Sequence, residues 1–183
     1  KFDANLGSFD NAGADGIAIV FHNDPRGVNA FGQNGKYIGA GGIVNGIVLE
    51  IDTYYNSEVD ETSSDHTSIW RTANINDKIS SDISFSNLED GRWHTVEINW
   101  NVYTKTLTYT LDGFYAGKVV GDLTNKYFGG SSSVYYGYTA STGYYFNTQK
   151  IRFENKELNN ISEISNREYL PRSDIEFSVN GIG

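Results

Sequence analysis

Cysteine and methionine are absent from this sequence of 183 residues, proline occurs 2 times and histidine 3 times, and 14 Lys and Arg face 23 Asp and Glu. Each shortage excludes something. No disulfide framework is available, which is neutral about compartment because many bacterial secreted proteins also dispense with cysteine. The missing methionine includes the initiator, so Lys1 is expected to be a processed or excised end. No apolar run approaches the roughly 18–20 residues of a membrane span, and no signal-like n-region and h-region opens the chain, so no membrane insertion is expected. The formal net charge of −9 argues against a duplex nucleic-acid partner, because phosphate binding draws on clusters of Lys and Arg that are missing here. An acidic, well-solvated surface is also what extracellular domains often carry.

What is abundant points to β-structure. Glycine reaches 20 residues and aromatics 14%, and short β-rich runs recur between turn signals, the composition of an all-β sandwich or barrel. At 20.3 kDa the chain is long enough for one domain with a sizeable core and short for two, so residues 1–183 are read as a single domain. Ile17 to Phe21 and Gly46 to Ile51 read as buried strands, and Ile83, Phe85 and Leu88 suggest another short one. From Trp93 to Trp100, Val96, Ile98 and Trp100 alternate with Thr95, Glu97 and Asn99, so one face packs and the other is wet. A turn around Asn101 to Lys105 leads to Leu107, Tyr109 and Leu111 on the same period. Asp112-Gly113 then suits a turn with φ > 0, which predicts an antiparallel meander. Val134 to Ala140 and Gln149 to Phe153 supply two more strands, and Ile161 to Tyr169 is the candidate helix.

The chemistry concentrates in residues 50–66. Glu50 and Asp52 sit two apart on an expected strand, so their side chains leave the same face and can grip one small, hard cation. Asn56, Asp60 and His66 follow within one loop. Hard oxygen donors suit calcium, whereas an added imidazole with shared carboxylates suits manganese or another transition ion. Two neighbouring metals sharing Asp52 is the economical reading.

This stretch, Glu50-Ile51-Asp52-Thr53-Tyr54-Tyr55-Asn56 running on to His66, resembles the double-metal loop of the legume-type (L-type) lectins, and its flanks are most similar to the bacterial surface adhesin members. Gly13 to Ala18, His22 to Gly27, Ile38 to Ile43, Trp93 to Val96 and Phe128 to Gly143 extend the resemblance in order along the chain. It implies a concanavalin A-like jelly-roll sandwich of two antiparallel sheets. It also implies a calcium-dependent, non-catalytic carbohydrate-binding domain, extracellular and attached to the cell surface through a larger protein, with a glycan or glycoprotein as partner. In the implied ligand set, calcium is held by Asp52, Asn56, the Tyr54 carbonyl and a loop acid, and manganese by Glu50, Asp52, the same acid and His66. Asp60, six before His66, is the expected acid, with Asp65 the second choice and Glu61 also in range. The resemblance further implies a sugar contact at Asp15 beside a cis Ala14–Asp15 peptide, and a backbone donor in the Gly35-Lys36 loop, where Lys36 replaces an expected glycine. Tyr54 would offer a stacking face, Asn56 an amide, and Ser141, Thr142, Gly143, Tyr144 and Tyr145 the variable specificity loop. Calcium would order a polar loop that has no apolar reason to hold one shape, and so preorganise Asn56 between ion and sugar.

Two alternatives use the same residues. A glycoside hydrolase on such a sandwich would carry its two carboxylates in a Glu-x-Asp-x-Glu strand motif, about 5–5.5 Å apart for retention. Here Thr53, Tyr54 and Tyr55 follow Asp52, so the second glutamate is missing. A spacer or protein-binding module of an adhesin would keep the metals for stability alone. His94 has no nucleophile or paired acid near it in sequence and reads as core or rim. The resemblance also leaves a gap, because the family carries strands ahead of the position of Phe2 and has no counterpart to residues 157–183. Ile175 to Val179 is expected to return as a strand and supply that sheet edge, which the closeness of termini in sandwiches permits.

Overall fold

The structure, a computed structural model, describes residues 1–153 and 175–176. Its strands are β1 (Phe2–Asn5), β2 (Gly16–His22), β3 (Gly46–Asp52), β4 (His66–Arg71), β5 (Asn74–Ser84), β6 (His94–Asn101), β7 (Thr106–Leu111), β8 (Phe114–Val120), β9 (Tyr135–Ser141), β10 (Lys150–Arg152) and β11 (Ile175–Glu176). One short helix, α1 (Leu123–Tyr127), joins β8 to β9. The strands form two antiparallel sheets, ordered β11-β10-β1-β6-β7-β8 and β5-β4-β3-β2-β9. This is the jelly-roll sandwich expected from the sequence. No helix among the described residues is long and apolar enough to cross a membrane.

The alternation at residues 93–111 becomes the β6–β7–β8 meander, whose second turn carries Asp112 at φ 51° and Gly113 at φ 80°. Inward side chains such as Val96, Leu107, Tyr109 and Leu111 meet Ile17, Leu49, Ile51 and Ile69 of the facing sheet in the main core. The five-stranded sheet is buried on its other face as well. There Ala18, Val20, Val48 and Trp70 are covered by Ile38, Ala40 and Ile43 from the segment between β2 and β3. Double burial is why Ile47, Val48 and Leu49 follow one another in β3 without alternation and why every residue of the strand is buried. Asp24 braces the covering segment: Arg26 Nε and Nη2 donate to its carboxylate at 2.8 and 2.6 Å, and the Val44 amide donates at 2.9 Å. The Arg26 guanidinium holds the Asp24 carboxyl well below the usual carboxylate range.

Strand β5 departs from expectation. It runs over Asn74–Ser84, and Phe85 and Leu88 lie beyond its end in the connection to β6. Its register on β4 shifts between Thr67 and Ile69, again before Trp70, and again before Arg71. Bulges of this kind reverse which face a residue takes. Ile75 therefore joins the outer cluster while Ile79 packs against the main core, and the apolar residues follow no single period. At one edge of the six-stranded sheet, Ile175 and Glu176 pair with Ile151 and Lys150. The remainder of the expected strand to Val179 and the expected helix over 161–169 lie outside the described residues.

Candidate functional site

Register places the acids. Glu50 stands opposite Ser68 on β4 and Ala18 on β2, and Asp52 opposite His66 and Gly16. The neighbours on β2 are small, and a Cβ added at Gly16 would lie 2.2 Å from the Ile51 carbonyl oxygen. Ligand atoms of Glu50, Asp52 and His66 lie within 4.8 Å of one another, and so do those of Asp60, His66 and Asp82. Glu50, Asp52 and His66 are 2%, 1% and 1% exposed, so this is a buried polar cluster and not a solvated acidic loop.

Burial drives the Glu50 and Asp52 carboxyls above their ordinary pKa. At Glu50 the Ser68 hydroxyl, His66 and the Trp70 indole oppose the shift, whereas at Asp52 the charges of Glu50 and Asp60 add to it. Asp60 is also raised by burial, although the Asn56 amide donates to its carboxylate and pulls the other way. His66 Nδ1 lies 3.1 Å from the Ser64 carbonyl oxygen. Since a carbonyl can only accept, Nδ1 donates to it, which leaves Nε2 as the ring nitrogen that faces the acids. That nitrogen lies 3.6 Å from Asp60 Oδ1 and 3.7 Å from Asp82 Oδ2. His66 Nε2, Glu50 Oε1 and Asn56 Oδ1 are buried without a hydrogen-bond partner among the described residues. Acceptors buried face to face are costly unless a cation lies among them. Oxygen donors with a single imidazole are the donor set that fits calcium beside a manganese-type ion.

The structure brings Glu50, Asp52, Asn56, Asp60 and His66 together. Tyr54 joins them through its amide, which donates to Asp52 Oδ1 at 2.7 Å. Asp65 does not join. Its carboxylate accepts the Leu88 amide at 2.6 Å and braces the connection between β5 and β6. In extended chain, residues 65 and 66 leave opposite faces, so with His66 turned to the cluster Asp65 turns away. Glu61 is likewise absent from both groups, and its amide donates to Asp82 Oδ2 at 2.6 Å. Asp82 itself is the residue that the sequence reading missed. It lies two before Ser84, which pairs with His66, so a strand drawn through residues 74–84 would have placed it on the imidazole's face.

Asp15 stands at the same end of the sheet, 5% exposed, behind a cis Ala14–Asp15 peptide. Its amide donates to the Ser141 carbonyl at 2.9 Å, and the Thr53 amide donates to its carbonyl at 2.9 Å. The Ser141 hydroxyl lies 2.8 Å from Asp15 Oδ2 and 2.9 Å from the Gly35 carbonyl oxygen. Burial raises the Asp15 carboxyl, tempered by that hydroxyl, and the charge of Asp15 in turn adds to the upward shift at Asp52. Lys36 Nζ, 3.0 Å from Glu58 Oε1, ties the Gly35–Tyr37 turn to the loop between β3 and β4. The Tyr54 ring lies 5.6 Å from that of Tyr145, and Tyr144 meets Tyr145 edge-on at 5.3 Å. Tyr144 is 92% exposed, the Gly143 amide donates to the Tyr145 carbonyl, and Thr142 Oγ1 is buried without a partner among the described residues. The expected sugar-contacting residues Asp15, Gly35, Lys36, Tyr54, Asn56, Thr142, Gly143 and Tyr144 thus come from four loops that converge around Asp15. His94 lies elsewhere, held by Asp112 Oδ2 at 2.7 Å and the Leu88 carbonyl at 3.1 Å.

Residues 1–155 match the family described as the legume lectin beta-barrel domain. A pesticidal crystal protein of Bacillus thuringiensis is 32% identical over 138 residues, a match covering 61% of this chain and 18% of that protein, so the chain spans less than a fifth of its length. Winged bean acidic lectin, solved in complex with methyl-α-D-galactose, is 27% identical at a TM-score of 0.60, over 80% of this chain and 62% of that one. The lectin from Bauhinia forficata in complex with GalNAc is 24% identical at a TM-score of 0.65, over 82% of this chain and 68% of that one. Basic winged bean lectin with Tn-antigen is 21% identical at 0.66, over 82% and 66%.

Proposed function

The chain belongs to the legume-type lectins, a family of non-catalytic carbohydrate-binding proteins, and on that premise we propose that it is a calcium-dependent glycan-binding domain. One observation carries the reading: Asn56 Oδ1 and His66 Nε2 are buried and unpartnered among acids that crowd beside Asp15. In this reading Asp52, Asn56, Asp60 and the Tyr54 carbonyl hold calcium, while Glu50, Asp52, Asp60 and His66 hold a manganese-type ion. The ions supply positive charge to buried carboxylates and fix the shape of residues 53–65.

The chain's own groups do the recognition. Asp15 accepts a pair of sugar hydroxyls, and the Asn56 amide, with its oxygen committed to the ion, donates to another. A backbone amide of the Gly35-Lys36 turn donates from the opposite wall. Tyr54 and Tyr145 offer faces to the apolar CH side of a pyranose, and Thr142, Gly143 and Tyr144 border the next residue of a glycan. Solved lectins of similar structure hold galactose or GalNAc, which makes galactosides and GalNAc conjugates the first probes. Such a site suits the ligand-binding region of a bacterial surface adhesin, displayed outside the cell on a larger protein and directed at glycoproteins.

A glycan array tests this. Hits in calcium that vanish on chelation and return on recalcification are expected. An array without hits in calcium, or hits indifferent to chelation, overturns the reading.

A further inference from the structure

Neither Asp82 nor Lys78 belongs to the ligand set that the family resemblance implies, yet both enter the acid cluster. The Lys78 ammonium is bonded to Asp82 Oδ1, and the two side chains are 13% and 1% exposed. The other oxygen, Asp82 Oδ2, accepts the Glu61 amide and faces His66 Nε2 at 3.7 Å. Asp82 therefore stands between an ammonium and an imidazole. Strand β5 puts both residues there, since Ser84 pairs with His66 and Lys78 with Trp70 across a bulged register.

His66 supplies the independent observation. Its Nε2 is unpartnered and buried, aimed between Asp60 Oδ1 at 3.6 Å and Asp82 Oδ2 at 3.7 Å, both too long for a hydrogen bond. An imidazole nitrogen between two carboxylate oxygens at such separations suits an ion that bonds each at roughly 2.0–2.2 Å. Charge sets the direction of the lysine's effect. Glu50, Asp52, Asp60 and Asp82 bring four negative charges, which two divalent ions would balance without help. Lys78 adds a fifth positive charge whose field reaches Asp60, and it holds Oδ1 of the carboxylate whose Oδ2 faces the imidazole, so ammonium and ion draw on the charge of one carboxylate and repel each other across it.

On the premise that this loop binds metal, we infer that Asp82 is a further carboxylate ligand of the imidazole-side ion, and that Lys78 is a tethered cation competing with that ion for Asp82. When the ion leaves, Lys78 remains to offset the buried acid. When it enters at Oδ2, the ammonium on Oδ1 opposes it by like-charge repulsion, which weakens the site in a manner set by one exchangeable side chain.

Calorimetric titration of metal-stripped protein with Mn²⁺, in saturating calcium, reads both roles. Asp82→Asn is expected to weaken Mn²⁺ binding about tenfold or more, and Lys78→Gln to tighten it several-fold while Lys78→Arg stays near wild type. Thermal unfolding of the metal-free variants checks that they fold, and the two Lys78 variants carry the test alone if Asp82→Asn does not. Unchanged Mn²⁺ affinity in Asp82→Asn, or equal or weaker affinity in Lys78→Gln, overturns this inference while the proposed function stands. Failure of the wild type to bind either ion overturns both.

Discussion

In the proposed function Asp15 is the side chain on which recognition would turn, because its neighbours fix it without using it up. Backbone bonds to Ser141 and Thr53 clamp its main chain, and Ser141 Oγ touches Oδ2, which leaves Oδ1 to a ligand. Asp15→Asn keeps the volume but exchanges an ionised acceptor for a mixed donor and acceptor. Hydrogen bonds to charged groups contribute about 1.5–3 kcal/mol each, so losing a pair should weaken binding of an array hit by roughly a hundredfold or more. The melting temperature should stay within about 2 °C, since removing a buried charge offsets the weakened contact with Ser141. Calorimetry on the purified variant decides it, and affinity within tenfold of wild type would show that the pocket lies elsewhere. Behind the site, Tyr109 plays a purely structural part. Its hydroxyl reaches across the core to lie 3.0 Å from the carbonyls of both Glu50 and Ser68, and Gly117 leaves room for its ring.

At the scale of elements, Glu89 joins the connection ahead of β6 to the loops that follow β1 and β9. It accepts from Asn147 Nδ2 at 2.5 Å, and Asn147 in turn bonds the amides of Ser8 and Phe9. Burial pushes the Glu89 carboxyl up to about 7 from 4.5. A carboxyl raised in the folded state adds stability below its unfolded pKa and loses that contribution as pH rises through the folded value. Glu89→Gln should therefore gain on wild type by on the order of 1–2 kcal/mol between pH 5 and pH 8. Urea unfolding of both proteins at the two pH values measures this, and a pH-independent difference would refute it. The same scale explains what the sequence made legible. Strands β6 and β7 each have one wet face, so alternation exposed them, and Glu50 with Asp52 was legible because two-residue spacing and one strand suffice to bring them together. Asp60 needed the family resemblance, because no local rule says how a polar loop returns to a sheet. Asp82 stayed hidden because the bulges of β5 erased the period that would have marked its strand, and the aim of Asp65 was set by the facing of His66 and not by its nearness in sequence.

The molecule as a whole joins two apolar cores to one polar end. The main core takes nothing from residues 53–65 and the outer cluster takes only Val59, so the sheets do not depend on that loop for their packing. Cation release should therefore loosen that end and lower stability without dismantling the sandwich. An ion that binds only the folded chain stabilises it by about 2.7 kcal/mol at a hundred times its Kd. For a domain of 150–250 residues, 1 kcal/mol shifts Tm by about 2–4 °C. Saturating calcium should accordingly raise Tm by about 5–10 °C over the chelated protein. Two bound divalent ions would also relieve the self-repulsion of the whole chain by bringing its formal charge from −9 to −5. The far-ultraviolet circular dichroism of the chelated protein at 20 °C should still be that of a β-sandwich. Calorimetric scans with calcium and with chelator test both halves together. An unchanged Tm would mean that the acids hold no ion, and loss of the β-signal at 20 °C would mean that the cores cannot stand without one.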